Sequence, residues 1–299
     1  MTQALFTLAE LPTPARPFLK WAGGKGQLLP ELSRRLPRKF RRYHEPFVGG
    51  GALFFHLASA GRLGYGATLS DGNDELILCY EVVKHDVEHL ITRLRWHERD
   101  LSADYFREVR NWDRQPDFMQ HYGRLERAAR TLFLNRTCYN GLYRLNRNRQ
   151  FNAPFGHYKN PLICDPDNLR AVSRALQNVE LRHGDFTTVA ERASAGDLVY
   201  FDPPYDPVST TSNFTTYTGQ GFGEEQQRQL ARLVRELADR GVHVMLSNSA
   251  TPLTRELYAS DARLFTDTVL ASRKINCDGR KRGVVEELIV RSYPDGSLF

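Results

Sequence analysis

The 299-residue sequence contains few cysteines, and no two of them are close together. No pair has CxxC spacing, which excludes the common zinc and redox motifs, and a disulfide framework is not expected in so long a chain. No apolar run approaches the roughly 18 residues that a membrane helix requires. The first residues lack the basic start and apolar core of a signal peptide. We therefore expect a cytoplasmic protein with no bound metal and no membrane partner.

Acidic residues are absent between Glu126 and Asp165. The same stretch carries seven basic residues with aromatic residues between them. One-sided charge with interleaved aromatics favours contact with nucleic acid over a solvated face. The net charge of +6 permits a polyanionic partner without requiring one. The basic residues are Arg127, Arg130, Arg136, Arg144, Arg147, Arg149 and Lys159, and the aromatic ones are Tyr139, Tyr143, Phe151, Phe155 and Tyr158.

Two further basic clusters lie outside this stretch, at residues 34–42 and 273–282. The first is equally consistent with a track for phosphates and with a solvated helix end. The second falls between two late strand candidates, where contact with DNA is a reasonable interpretation.

Short apolar runs alternate with longer helical patterns along most of the chain, which predicts an α/β fold with a mostly parallel, Rossmann-like sheet. This rhythm stops at about residue 73 and resumes at about 165. The segment between is mainly helical, with predicted helices at Glu75–His97 and Leu125–Leu134. We predict a principal domain of residues 1–72 and 165–299, with an inserted domain of residues 73–164. The predicted strands are Tyr43–Phe47, Ala67–Asp71, Val179–His183, Asp197–Asp202, Val242–Ser247 and Val285–Val290.

Two glycine-rich turns are candidates for cofactor binding. The turn at Glu45–Gly51 follows a predicted strand and precedes a predicted helix, where the backbone can approach a ligand and helix amides are free. Asp71 ends the next strand and is well placed to accept hydrogen bonds from ribose hydroxyls. A purely structural turn remains equally open. The other turn, Phe18–Lys25, is either a loop with a core tryptophan or a lid that brings Lys25 near a carboxylate.

The segment Leu198–Tyr205 carries the strongest chemical signal. An apolar strand runs directly into Asp202, Pro203, Pro204 and Tyr205, at the sheet edge where α/β proteins bind ligands. Two acceptors, the Asp202 carboxylate and the Pro203 carbonyl, suit an exocyclic amine whose lone pair is otherwise delocalised into its ring. Tyr205 offers a flat face for that ring. Alignment of such an amine with a methyl donor accounts for about 7–11 kcal/mol of barrier.

Taken together, these motifs resemble DNA adenine methyltransferases of the Dam type. The likeness covers residues 17–294 and includes the segments FLKWAGGK (18–25), EPFVGGG (45–51), LNRTCYNGLYRLN (134–146), FNAPFGHYKNP (151–161), DPPY (202–205), SNFTTY (212–217) and SNS (247–249). Their order is that of the family: cofactor loop, target-recognition insert, catalytic loop. The resemblance implies S-adenosylmethionine as methyl donor, double-stranded DNA as substrate, and extrusion of the target adenine from the duplex.

The resemblance also implies roles for individual residues. Asp202, Pro203, Pro204 and Tyr205 form the catalytic motif that receives the base. The cofactor would be bound by Trp21, Lys25, Phe47, Gly49, Gly51, Asp71 and Asp202. DNA would be contacted by Lys20, Tyr139, Asn140, Arg144, Arg147, Arg149, Pro154, His157 and Tyr158.

Relatives of the insert recognise GATC, and Lys20, Arg144 and Pro154 match the residue types that they use. Arg144 is a candidate for bidentate contact with guanine, whereas Arg147 and Arg149 suit phosphates. Tyr139 or Asn140 is a candidate to fill the space that the extruded base leaves. His157 departs from the family, in which arginine is frequent at this position, and a histidine cannot form the same bidentate contact. We therefore expect GATC as the target. His157 leaves open how one base pair of that site is recognised.

Three alternatives stay open on the residues alone. Methylation of cytosine N4 uses an amine with the same electronics, although aspartate at the first motif position goes mainly with adenine. A methyltransferase for structured RNA more often carries asparagine there. A DNA-binding relative without catalysis is opposed by the intact motifs. We further expect a monomer, encoded by a bacterium or a phage and associated with the nucleoid.

Overall fold

The computed structural model describes residues 13–21, 23–206, 222–272 and 284–294. Its seven strands are β1 Tyr43–Glu45, β2 Ala67–Asp71, β3 Val179–His183, β4 Leu198–Phe201, β5 His243–Ser249, β6 Phe265–Ser272 and β7 Val284–Arg291. Its α-helices are α1 Leu29–Arg35, α2 Ala52–Ser59, α3 Asp74–His85, α4 Val87–Arg99, α5 Ala103–Arg110, α6 Phe118–His121, α7 Arg124–Thr137, α8 Pro166–Ala175, α9 Glu224–Asp239 and α10 Pro252–Ala259.

The strands form one sheet in the order β3-β2-β1-β4-β5-β7-β6. The first five are parallel, and β7 runs antiparallel between β5 and β6. Tyr43 of β1 pairs with both Ala67 of β2 and Leu198 of β4, so β1 and β4 lie side by side although more than 150 residues separate them. After β1 the chain continues to β2 on one side of this pair, and after β4 it continues to β5 on the other side. The carboxyl ends of β1 and β4 therefore meet at the switch point where such sheets bind ligands.

Burial explains why the central strands form. Every residue of β1 and β4 is buried, as expected for parallel strands that helices cover on both faces. One apolar core includes residues of α2, α3, α4 and α7, and a second includes residues of α9 and α10. The predicted α/β fold with a mostly parallel sheet is confirmed.

Two predicted elements need correction. The helical pattern over residues 75–97 is not one helix, because Asp86 has φ −144° and ψ 41° and separates α3 from α4. Strand β6 was not predicted, since Thr266, Asp267 and Thr268 interrupt its apolar pattern. It is the edge strand of the sheet, where only one neighbour and one packed face are needed.

Six helices, α3 to α8, lie between β2 and β3 in the chain. The first five, α3 to α7, fall in the region where the insert is predicted, and α8 follows it. Helix α7 packs against α3, α4 and α5, and α3 also packs against α8 and β3. Helix α3 thus joins the insert to the sheet. No helix in the described parts of the chain is long and apolar enough to cross a membrane.

Candidate active site

The acidic end of β4 lies at the switch point. Asp202 follows Phe201, and its Oδ1 contacts Lys25 Nζ at 2.7 Å and accepts a hydrogen bond from Ser247 Oγ at 3.1 Å. Lys25 is buried, with 6% of its surface exposed, and it also donates to the Gly23 carbonyl at 2.7 Å. Burial raises the pKa of Asp202, while Lys25 and Ser247 act in the opposite direction. Within the described residues no donor contacts Asp202 Oδ2, so this oxygen is available to an incoming amine.

The proline carbonyls of the same loop differ in their hydrogen bonding. Gln227 Nε2 donates to the Pro204 carbonyl at 3.2 Å, and Asn248 Nδ2 holds Gln227 Oε1 at 2.9 Å. Gln227 and Asn248 are both fully buried. The described residues provide no donor to the Pro203 carbonyl, which leaves it as a second acceptor beside Asp202. A fixed polar scaffold thus supports the loop from behind and leaves the front acceptors free.

Tyr205 completes the motif, and two contacts hold its ring. Its hydroxyl donates to Glu287 Oε2 at 2.7 Å, and Lys25 Nζ lies 4.4 Å from the ring centroid. Burial raises the pKa of Tyr205 well above its usual value, and the charges of Asp202 and Glu287 act in the same direction. The hydroxyl therefore keeps its proton and acts as a donor.

The glycine turn after β1 needs its glycines for two reasons. Gly49 and Gly51 have φ of +46° and +67°, in the left-handed region that favours glycine. A Cβ on Gly49 would lie 2.8 Å from Trp21 Cδ1, and one on Gly51 would lie 2.7 Å from Tyr80 Oη. Asp71 stabilises the turn, because its carboxylate accepts from the amides of Gly49 at 3.1 Å and Asn73 at 3.0 Å. Burial raises the pKa of Asp71 to about 6.

Aromatic side chains form a wall beside this turn. Phe47 stacks on Phe186 with ring centroids 5.3 Å apart, and both rings contact Phe222. Sequence analysis named Phe47 and missed the other two. The available signal was the segment Gly184-Asp185-Phe186, which directly follows β3 at the carboxyl edge of the sheet. Such a wall suits a planar heterocycle.

The turn at Phe18–Lys25 connects the glycine turn to the insert. Trp21 lies against Gly49 on one side, and its ring centroid is 5.2 Å from that of Tyr143 on the other. Asn135, fully buried on α7, accepts from the Lys20 amide at 2.8 Å and donates to the Lys20 carbonyl at 2.7 Å. It also donates to the Gly141 carbonyl at 3.1 Å. Asn135 was not predicted from the sequence, because its role depends on contact with Lys20, which lies 115 residues away in the chain.

Three arginines of the basic stretch have partners inside the protein. Arg127 pairs with Glu75, and Arg130 pairs with Asp113 at 2.7 Å while it also donates to the Val109 and Arg110 carbonyls. Arg136 donates to the Phe18 carbonyl at 2.7 Å. These three side chains hold the insert together, and the interpretation of the whole run as a nucleic-acid surface was too broad.

The rest of the run is exposed. Arg144 Nε and Nη2 donate to the side-chain and backbone oxygens of Asn152 at 2.7 and 2.9 Å, which fixes the guanidinium of this exposed residue. Arg147 has no ion pair among the described residues, and Arg149 is 3.6 Å from Asp74. We call residues 139–159 the recognition loop. Of the predicted DNA contacts in this loop, Asn140 is half-buried, and those that are exposed are Tyr139, Pro154, His157 and Tyr158. Lys20 is exposed and lies against the loop.

Strained backbone marks this loop. Asn140, Arg149 and His157 have φ of +55°, +60° and +52°. Tyr158 Oη accepts from the Asn140 amide at 2.9 Å, and Lys20 Nζ lies 4.9 Å from the Tyr158 ring centroid. Non-glycine residues with positive φ persist where the surrounding structure holds them, and they concentrate at functional sites.

Other predicted features fall elsewhere. In the first basic cluster, Arg34 and Arg35 pair with Glu31, and Arg35 also binds Asp267. The other basic residues of this cluster are exposed and directly precede β1. They therefore lie at the amino ends of the parallel strands, whereas Asp202 lies at the carboxyl end of β4. The segment SNFTTY and the cluster at 273–282 lie outside the described residues. In the described chain no three His, Cys, Asp or Glu side chains are grouped as metal ligands would be.

Comparison with known proteins agrees with this geometry. Residues 21–271 match the D12 class N6 adenine-specific DNA methyltransferase family. A type II methyltransferase of Lactococcus lactis subsp. cremoris is 43% identical over 280 residues, covering 93% of this chain and 95% of its own. A type II methyltransferase of Methanocaldococcus jannaschii is 43% identical over 295 residues, with 93% and 99% covered. The DNA adenine methylase of Escherichia coli strain K12 is 36% identical over 284 residues, with 93% and 96% covered.

The match spans nearly the whole chain and includes both the glycine turn and the acidic loop at Asp202. It confirms the resemblance to the Dam type and decides for adenine among the alternatives that the motifs had left open. The chain belongs to the D12 class of N6 adenine-specific DNA methyltransferases.

Proposed function

We propose that this enzyme transfers a methyl group from S-adenosylmethionine to the N6 amine of an adenine that is extruded from a GATC site in double-stranded DNA. The observation that carries the proposal is the pair of free acceptors at the end of β4. Asp202 Oδ2 and the Pro203 carbonyl have no donor among the described residues, although the neighbouring polar atoms of the loop do. Two acceptors can grip the two hydrogens of the amine and leave its lone pair free for the methyl group.

The cofactor proposal is supported by the fit of three features. Asp71 offers a carboxylate for ribose hydroxyls beside a turn that only glycine fills, and Phe47 belongs to an aromatic wall that suits a purine. Lys25 supplies a buried cation for a carboxylate. When bound, S-adenosylmethionine supplies a methyl group that is already electrophilic. Trp21, Gly49 and Gly51 would shape the site around it.

The chain's own groups then have defined tasks. Asp202 and Pro203 orient the amine, Pro204 keeps the loop rigid through Gln227, and Tyr205 stacks on the base. No enzyme nucleophile is required. The proton of the amine leaves after methylation, and Asp202 is the nearest carboxylate among these groups.

The recognition loop supports the choice of duplex DNA. Arg144 is exposed and its guanidinium is held by Asn152, which suits a residue that reads guanine, and Arg147 and Arg149 suit phosphates. Lys20 and Pro154 match the residue types of GATC enzymes, and His157 and Tyr158 border them. Tyr139 and Asn140, at a strained turn, would fill the space of the extruded base. We propose residues 73–164 as the target-recognition domain, residues 1–72 and 165–299 as the catalytic domain, and a monomer as the active form.

Transfer of labelled methyl groups to plasmid DNA tests the chemistry. We expect Asp202→Ala to lower kcat by about 10²–10³-fold, because one aligned acceptor is lost in a water-excluded site. DNA affinity should stay the same. Asp239→Ala, an exposed aspartate at the end of α9, is the matched control and should keep wild-type activity.

Specificity is tested separately, by mapping modified bases in a bacterial genome that has no adenine methylation of its own. Marks confined to the adenine of GATC are expected. Methylated adenines in other sequences would refute the GATC proposal alone, and a wild-type protein that transfers no methyl group would refute the catalytic assignment.

A further inference from the structure

Glu287 contacts the catalytic motif from a part of the chain that no motif includes. Its carboxylate accepts the hydrogen bond of the Tyr205 hydroxyl at 2.7 Å, although 82 residues separate the two. Glu287 has 9% of its surface exposed and lies within β7, paired with Ser249 of β5 and Val269 of β6. A residue between two strands moves little, so it is a firm anchor for a ring at the end of a loop.

Its charge has no cationic partner in the described residues. Neither lysine, arginine nor histidine forms an ion pair with Glu287 there, and the Tyr205 hydroxyl is its hydrogen-bond donor. Burial of a carboxylate costs free energy, because the charge loses its hydration, and hydrogen bonds must compensate for that loss. Lys25 lies over the same ring and binds Asp202, which makes one continuous line of contacts from Glu287 through Tyr205 and Lys25 to Asp202.

We propose that Glu287 is a positioning residue for catalysis, which acts on the target adenine only through the ring of Tyr205. This inference rests on the proposed function, in which that ring stacks on the extruded base. The hydrogen bond at the hydroxyl fixes the tilt of the ring. The carboxylate also increases the electron density of the ring, and this strengthens its contact with an amine that becomes positive as the methyl group arrives.

Single substitutions give the first test. We expect Glu287→Ala to lower kcat by about 10-fold or more, as for loss of a hydrogen bond to a charged group, while the Kd for DNA stays unchanged. Glu287→Gln keeps an acceptor and should recover most of the loss. Glu286→Ala is the matched control, because this neighbouring glutamate is exposed and pairs with Arg255. It should retain wild-type kcat.

A double-mutant cycle separates positioning from a general structural effect. Tyr205→Phe keeps the ring and removes the hydroxyl. If Glu287 acts through that hydroxyl, Tyr205→Phe combined with Glu287→Ala is no slower than the slower single variant. Losses that multiply in the double variant would overturn the proposal. Thermal unfolding of each variant identifies any that fails to fold. Glu287→Met, which keeps the length of the side chain and removes the acceptor, then takes the place of Glu287→Ala in the cycle.

A readout without methyl transfer completes the test. Duplex DNA with 2-aminopurine at the target position fluoresces when the base leaves the helix and is quenched when it stacks on an aromatic ring. With saturating protein, we expect Glu287→Ala to give a brighter signal than wild type at equal DNA affinity. Equal brightness would overturn the proposal. If the wild-type enzyme methylates adenine while the cycle or the fluorescence fails, only the role of Glu287 is refuted and the proposed function stands.

Discussion

The arginines of helix α7 and those of the recognition loop come from one uninterrupted basic stretch, yet the structure uses them in opposite ways. Arg127, Arg130 and Arg136 are bound to acidic side chains or backbone carbonyls within the protein. Arg144 and Arg147 lie on the surface. The difference teaches that a run of charge marks a region for function without marking which of its residues meet the ligand. Burial decides that, because a buried cation must find a partner in the fold.

The largest expected effect lies on the buried side of this comparison. Arg130→Met should destabilise the protein by about 3 kcal/mol, because three buried hydrogen bonds of a charged group are lost, one to Asp113 and two to the Val109 and Arg110 carbonyls. Urea unfolding followed by circular dichroism measures this loss. An unchanged urea midpoint would show that Arg130 does not stabilise the fold and that burial does not separate the arginines of α7 from those of the recognition loop.

On the exposed side, Arg144→Ala should leave stability unchanged and relax discrimination at one base pair of the target by about 1–3 kcal/mol. Competition between GATC duplexes with single substitutions measures the change. Asn152→Ala tests the same residue indirectly, since it frees the guanidinium without removing it. Uniform weakening on every duplex would show instead that Arg144 meets phosphate.

The contrast extends to Asp71, an acidic residue that is anchored by backbone amides rather than by a cation. Its pKa is raised to about 6 by burial, so the carboxylate becomes protonated as the pH falls below that value. Since the ionised form is the better acceptor for ribose, cofactor affinity at pH 5 should be about tenfold lower than at pH 7. Isothermal calorimetry with S-adenosylhomocysteine measures it. Asp71→Asn should flatten the pH profile if Asp71 is the cause, and a profile that keeps its slope in this variant would refute the assignment.

The smallest effect is expected for Arg147→Ala. It should weaken binding to all sequences alike and make the log–log dependence of affinity on salt shallower by about 0.9, the value for one phosphate contact. Arg263→Ala, remote in sequence and paired with Asp239 and Asp261, is the matched control and should leave the slope unchanged. An unchanged slope for Arg147→Ala would remove this residue from the DNA surface.

Local pattern predicted the elements near the site well and the others less well. Strands β2 and β3 have the predicted ends, because both are short segments bounded by turn residues. Helix α4 was merged with α3, because both are amphipathic and the break depends on the backbone conformation of a single residue, Asp86. Edge strand β6 escaped prediction because its exposed face tolerates polar residues.

The sequence by itself determined the family, the order of the motifs and the identity of the acid, the prolines and the aromatic ring at the end of β4. These depend on residue types over short spans. Only the tertiary structure decided that Lys25 and Ser247 contact Asp202 Oδ1, which arginines are bound inward, and that Glu287 holds Tyr205. Such contacts join segments that are 82 residues apart for Glu287 and Tyr205 and 118 residues apart for Arg136 and Phe18. They follow from sheet order and packing, which no local pattern encodes.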